Sequence, residues 1–306
     1  MKKYKKSTVL LASFGMLLAT AIWGFAFVVV KEAVEVITPM YMLAFRFTVA
    51  SAGMAVLFAK RMRKLNKKLI LHGAWLGLWM FLAYFLQTWG CKYTTAGKNA
   101  FITVVYVVIV PFLAWLLFHE KPGVYNIVAA ILGFAGVGML TLNGEGGINI
   151  GDVLTLGCGI LYAVQIVYVD RFTQTEDPIL LTVMQVLAAA VLSWICAPFI
   201  EGAPPIDALF TGNIAVGMLY LGLGSSMISF LLQNVGQKYT PPATAALLLS
   251  MESVFGVLSS VIVLGEQVSP KMFVGCAVML FAIILAETRL EFLPFMSKKR
   301  EEGNAG

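Results

Sequence analysis

Charge is scarce in this sequence. Of its 306 residues only 12% are Asp, Glu, Lys or Arg, while 59% are hydrophobic, and the mean hydropathy is +0.86. Soluble domains carry about a quarter charged residues. So few charges cannot cover this much apolar surface in water, and the chain needs a lipid bilayer around it. Cysteine is also sparse: Cys91, Cys158, Cys196 and Cys276 are scattered without a CxxC pair. That excludes a zinc site and a disulfide framework. The two histidines, His72 and His119, fall at the edges of apolar runs. No GxxxxGK[ST], HExxH or GxSxG occurs, so no ATP-driven engine lies in this chain and an intramembrane hydrolase is disfavoured. Neither cofactor nor metal is expected. The net charge of +6 would hint at nucleic acid in a soluble protein. Here Lys and Arg sit in short segments between apolar runs, so the charge reads as membrane topology, with no nucleic-acid partner.

What is present is a series of ten apolar stretches, at 10–30, 40–59, 69–89, 96–117, 124–142, 151–170, 179–200, 213–235, 242–264 and 271–290. Turn signals such as Thr38-Pro39, Asp177-Pro178 and Pro241-Pro242 separate them. The runs are too long for strands, and lipid admits only helices or closed barrels, so ten transmembrane helices are expected. The first run has a rival reading: Lys2, Lys3, Lys5 and Lys6 before an apolar stretch and Ala19-Thr20-Ala21 resemble a signal peptide. The stretch continues through Val30, about 21 residues from Leu10 and enough to span a bilayer, so it is expected to stay as the first helix. With the N-terminus inside, seventeen Lys and Arg fall on the inner side and four (Lys31, Lys92, Lys98, Lys271) outside, with Arg46 within the second run. The positive-inside rule then places both termini in the cytoplasm and the 144–147 loop outside.

The chain also repeats itself. A shift of 146 residues places Gln87, Gly90, Lys92, Tyr93, Thr94 and Glu120 on Gln233, Gly236, Lys238, Tyr239, Thr240 and Glu266, and a shift of 139 places Pro39 on Pro178. Runs of Leu and Val match by composition alone; matched Gln, Lys, Tyr, Thr and Glu do not. Two five-helix units, 1–145 and 146–306, are therefore expected. Five is odd, so the second would enter the membrane from the opposite side, an inverted repeat of the kind that rocks around a midplane site in transporters.

The stretches TPPATAALLLSMESVFGVLSSVIVLGEQVSP (240–270), AGKNAFITVVYVVIVPFLAWLLFHEKP (96–122) and IWGFAFVVVKEA (22–33) resemble the EamA branch of the drug/metabolite transporter superfamily. The most specific element is Ser250, Glu252, Gly265 and Glu266; the first half departs from it, with Tyr106 in place of the glutamate and His119 in place of the glycine. The resemblance implies secondary transport by alternating access in the cell membrane, through a cavity lined mainly by the first, third, fourth, sixth, eighth and ninth helices. It puts the second helix at the periphery.

Glu252 is the leading candidate for substrate binding or proton coupling. It lies ten residues from Pro242 and from Ile262, so about 15 Å from each membrane face. A carboxylate there costs about 2.5–3.5 kcal/mol. Protonating it at pH 7 from an ordinary glutamate costs about 3.7 kcal/mol. The two costs are close, which suits a proton carrier and suits equally a neutral acid bonded to a neighbouring helix. Arg46 is the other full charge well inside a run; it pairs with Glu252, binds a substrate carboxylate or snorkels to the headgroups. Polar stripes at helical spacing add Asn99, Thr103 and Tyr106 on the fourth run, Cys158, Tyr162 and Gln165 on the sixth, and Gly222, Ser226, Ser229 and Gln233 on the eighth. Trp75 and Trp79 on the third run and Trp23 on the first complete the candidates. Such stripes also serve as helix–helix glue. The glycine-rich 133–140 segment and Gly275 predict close packing of the fifth and tenth helices, within a monomer or across a homodimer. The expected cargo is a small polar or zwitterionic metabolite such as an amino acid, moved outward and driven by protons. Multidrug or nucleotide-related cargo is the alternative within the class, and an intramembrane enzyme or membrane sensor outside it.

Overall fold

The computed structural model describes residues 5–141, 148–209, 211, 213–267 and 269–288. The 144–147 loop and the basic residues beyond 288, both used in the topology reading, lie outside them. Among the described residues the chain is all helical, without a strand. Its elements are α1 (Lys6–Ala33), α2 (Pro39–Met62), α3 (Lys67–Tyr93), α4 (Ala96–Thr103), α5 (Tyr106–Phe118), α6 (Val124–Thr141), α7 (Ile150–Thr173) and α8 (Pro178–Glu201). There follow α9 (Ile206–Leu209), α10 (Ile214–Leu219), a π-helix (Tyr220–Ile228), α11 (Ser229–Gln237), α12 (Pro242–Leu249), α13 (Met251–Leu264) and α14 (Pro270–Thr288).

Eight segments are long and apolar enough to cross a membrane: α1, α2, α3, α4 with α5, α7, α8, α10 through α11, and α12 with α13. The two other expected spans fall on α6 and α14, which pack on each other. The bundle presents large apolar side chains outward, among them Leu10, Phe14, Val56, Leu116, Ile262 and Phe273, as a lipid-facing surface must.

Local chemistry sets the boundaries. Proline opens α2, α8 and α12, where its missing N–H is not needed. Asn66, Thr95 and Asp177 cap α3, α4 and α8, and Asn149 with Asp152 forms a capping box on α7. Gly265 closes α13 in the left-handed region at φ 65°, where it carries no steric cost. His119 closes α5 in the same conformation at φ 58° without that freedom.

The segment with the signal-peptide pattern is one continuous helix. Met16, Ala19, Thr20 and Trp23 of α1 are buried, packed against α11 and α13. One of the close helix crossings also involves α1. A Cβ at Gly24 would collide with Phe255 and stand 2.8 Å from Gly256 N, and one at Gly256 would collide with Ala100. Around Gly133, by contrast, a Cβ would meet only Val107 and Val108, at 3.5 Å each. The glycines that draw helices together thus include the α1–α13 pair, which no GxxxG spacing advertises.

Candidate functional site

Two spans are interrupted near their middle. The helix starting at Ala96 breaks at Val104–Val105, and the helix starting at Pro242 breaks at Ser250. Each break starts a new half-helix, with Tyr106 opening α5 and Glu252 in the first turn of α13. A helix N-terminus carries partial positive charge, so it favours a carboxylate placed there. Tyr106 Oη donates to Glu252 Oε1 at 3.0 Å, and both residues are buried.

Across the same cavity stands Arg46. It is 1% exposed, so its guanidinium stays inside the bundle rather than reaching the surface. Nη2 donates to Ser225 Oγ at 2.8 Å and Nε to Ser226 Oγ at 3.1 Å. The guanidinium carbon lies 4.6 Å from the centroid of Tyr84, within cation–π range. Among the described residues no ion pair joins Arg46 to Glu252 or to any other carboxylate. Aromatic rings occupy the walls between the two charges. Tyr84 meets Tyr162 edge-on at 5.7 Å, Tyr162 meets Tyr106 at 6.4 Å, and Trp23 meets Phe230 at 5.1 Å. Trp23 Nε1 is held by Ser225 O at 2.8 Å. The cavity is open on part of its surface, and its empty space, the open part included, is about 530 Å³. A largely apolar pocket with a few placed polar groups is the usual form of a small-molecule site.

Eight expected residues line this cavity: Trp23, Arg46, Asn99, Tyr106, Tyr162, Gln165, Gln233 and Glu252. Cys158, Thr103, Ser226 and Ser229 do not. Thr103 Oγ1 bonds to Asn99 O and Gln87 Nε2. Ser226 stands behind the wall, accepting from Arg46. Ser229 Oγ turns onto Gly224 O, five residues back in its own helix. The cause is the π-helix. Its wider turn breaks the spacing that would align Gly222, Ser226 and Ser229, and it brings Ser225 to the cavity instead. Gly222 faces Val49 and Arg46 O of α2. The wall of α3 is likewise Tyr84 and Gln87, whereas Trp75 and Trp79 are absent from the lining and Trp75 is half-exposed. Arg46 brings α2 to the site, against the peripheral place expected for it. Sequence reasoning also missed Phe230 and Ser225, and Gln87 stood out only as a repeat partner.

One end of the bundle is cross-tied. Glu266 accepts from the N–H groups of Ala96 and Gly97 at 2.9 and 3.0 Å, joining the end of α13 to the start of α4. Lys98 reaches Asp152 at 3.5 Å, and Thr94 Oγ1 donates to Asp152 at 2.7 Å. Lys31 Nζ donates to the carbonyls of Cys91 and Thr94. Glu266 therefore anchors a helix end and stands outside the cavity lining. On the opposite end Arg61 pairs with Asp177 at 2.6 Å and Lys68 with Glu176 at 3.2 Å.

A pocket lined by an arginine and a glutamic acid inside an apolar helical bundle invites comparison with known membrane proteins. A solved structure described only as the crystal structure of a protein superposes with a TM-score of 0.73, covering 94% of this chain and all of that one at 20% identity. It shares the fold. An "uncharacterized transporter" of Archaeoglobus fulgidus is 32% identical over 281 residues, covering 92% of this chain and 87% of that protein. The "uncharacterized transporter YvbV" of Bacillus subtilis is 26% identical, over 93% of each. The profile of the EamA-like transporter family matches twice in tandem, over residues 10–142 and 149–288. Two consecutive matches leave little of the chain unaccounted for, and this protein belongs to the EamA-like transporter family.

Proposed function

We propose that this transporter moves small zwitterionic metabolites, such as amino acids, outward across the cell membrane by alternating access of two inverted five-helix repeats. The observation that carries the reading is an arginine and a glutamic acid, Arg46 and Glu252, that line one aromatic-walled cavity and, among the described residues, form no ion pair. A zwitterion would bring a counter-charge to each: its carboxylate to Arg46 and its ammonium to the ionised Glu252. Neutralising both at once lowers the cost of burial, which an amine or an acid alone does for only one.

The inverted repeat draws support from paired details. Tyr106 and Glu252 are 146 residues apart, the repeat shift itself, and touch. The two helix breaks fall at matching places, and interrupted helices in corresponding positions of two halves are a pointer to a transport site. Cys91 Sγ reaches Phe27 O, while its counterpart Gln237 donates to Ile166 O, the counterpart of Phe27. On this reading α6 and α14 complete ten spans, both termini are cytoplasmic, and the Glu266 end faces outward.

The test is uptake and exchange in proteoliposomes with an imposed pH gradient. A zwitterionic amino acid should compete for transport at least tenfold better than its decarboxylated amine or its deaminated acid. Glu252→Gln should abolish gradient-driven accumulation while leaving exchange measurable. Competition by the amine equal to that of the amino acid would replace the zwitterion reading with a cationic-drug one. Unchanged accumulation by Glu252→Gln would remove the proton-coupling role.

A further inference from the structure

We propose that Gln165 and Gln233 form a third recognition point in the cavity, one that reads a carboxamide on the substrate. It rests on the zwitterion reading and names the group that the rest of the cargo carries.

Both amides line the cavity and are at most 2% exposed. Their orientation is fixed by a chain of bonds anchored on the backbone. Gln237 Nε2 donates to Ile166 O at 3.0 Å, and a carbonyl can only accept, so Gln237 Oε1 is left as the acceptor. Gln233 Nε2 donates to that oxygen at 2.9 Å and is shared with Gln165 Oε1 at 3.3 Å. The relay leaves two atoms over. Gln165 Nε2, a donor, and Gln233 Oε1, an acceptor, are both buried with no protein partner. Buried polar atoms are normally satisfied, and an orphan in a native protein calls for a reason. Here one donor and one acceptor are left over on two amides that bond to each other and that both line the cavity.

The ligand group that satisfies both has an acceptor and a donor side by side. A carboxamide has that pattern. A carboxylate offers acceptors only and would set an oxygen against Gln233 Oε1; an ammonium offers donors only; an alkyl group leaves both atoms unpaired. Discrimination of this kind is steep, because the analogue that lacks the group leaves the site's own polar atoms buried and unsatisfied. An amino acid with an amide side chain would then meet Arg46 and Glu252 with its head and the glutamine pair with its tail.

The experiment uses the full chain in proteoliposomes and two isosteric pairs as competitors: L-asparagine against L-leucine, and L-glutamine against L-homoleucine. The amide member of at least one pair should compete about ten- to a hundredfold better. Gln165→Met and Gln233→Met should each bring that ratio near one, by weakening the amide member and strengthening the alkyl member, and an unchanged thermal midpoint in detergent shows that the variants are folded. Equal competition by both members of both pairs in the unaltered protein overturns the carboxamide subsite and leaves the zwitterion reading standing. A ratio that survives both Met variants overturns the assignment to these two glutamines. Failure of all four compounds to compete overturns the zwitterion reading, and the subsite with it.

Discussion

Arg46 keeps a full positive charge among hydroxyls and rings. Two serine hydroxyls and the face of Tyr84 take up part of its donor capacity, yet a guanidinium has five N–H groups in a planar fork. A bidentate carboxylate is the partner that fork fits best. Arg46→Lys retains the charge but loses the fork, so binding of a carboxylate-bearing substrate should weaken by about 1.5–3 kcal/mol, while an amine-only analogue should bind as before. Titration calorimetry on the purified protein separates the two, and equal losses for both ligands would argue against carboxylate binding. At this scale the sequence was informative about charge and poor about surroundings. Glu252 and Arg46 are legible because a charge inside an apolar run needs an explanation. That Arg46 points inward is not legible, since its partners Ser225, Ser226 and Tyr84 come from segments remote in the chain.

Helical elements place those side chains, and the irregular ones matter most. The stripe Gly222, Ser226, Ser229 and Gln233 assumes regular α spacing, and the π-helix over Tyr220–Ile228 breaks it; no residue type in YLGLGSSMI announces that turn. The breaks before Tyr106 and Glu252 were not read from the sequence, where 96–117 and 242–264 are unbroken apolar runs. The crossing of α1 and α13 depends on the missing Cβ atoms of Gly24 and Gly256. Gly24→Ala forces α1 away from Phe255, and overpacking of this kind costs about 1–3 kcal/mol. A lower thermal midpoint in detergent should report it, together with greater reactivity of a cysteine placed at Ala100. The opposite sign is expected at the end of α5. His119 occupies the left-handed C-cap that Gly265 fills without strain in α13. His119→Gly should therefore stabilise the protein by about 1 kcal/mol, seen as a raised midpoint with transport unchanged.

At the scale of the whole molecule the lipid-facing side chains and membrane-length helices were readable from composition alone, since apolar runs of that length have no other stable home. Orientation rests on the Lys and Arg count. A tag at 144–147 should react with a membrane-impermeant reagent in intact cells; reaction only after lysis would reverse the topology and the proposed direction of each end. The Glu266 tie has a further consequence, for time rather than place. Its repeat counterpart is Glu120, whose matching target would be the N-terminus of α12, but Pro242 stands where Ala96 stands and has no N–H to offer. Of the tie's two N–H donors only one, on Ala243, has a counterpart at the matching place, and the other end is held by the Arg61–Asp177 and Lys68–Glu176 pairs instead. On the alternating-access cycle the tied end must release two charge-assisted bonds before it opens, and each 1.4 kcal/mol in that barrier is about a tenfold slower escape. On the proposed cycle, release of the Glu266 tie is a step that slows opening of that end, and Glu266→Gln should raise the turnover rate in proteoliposomes rather than change what the cavity holds.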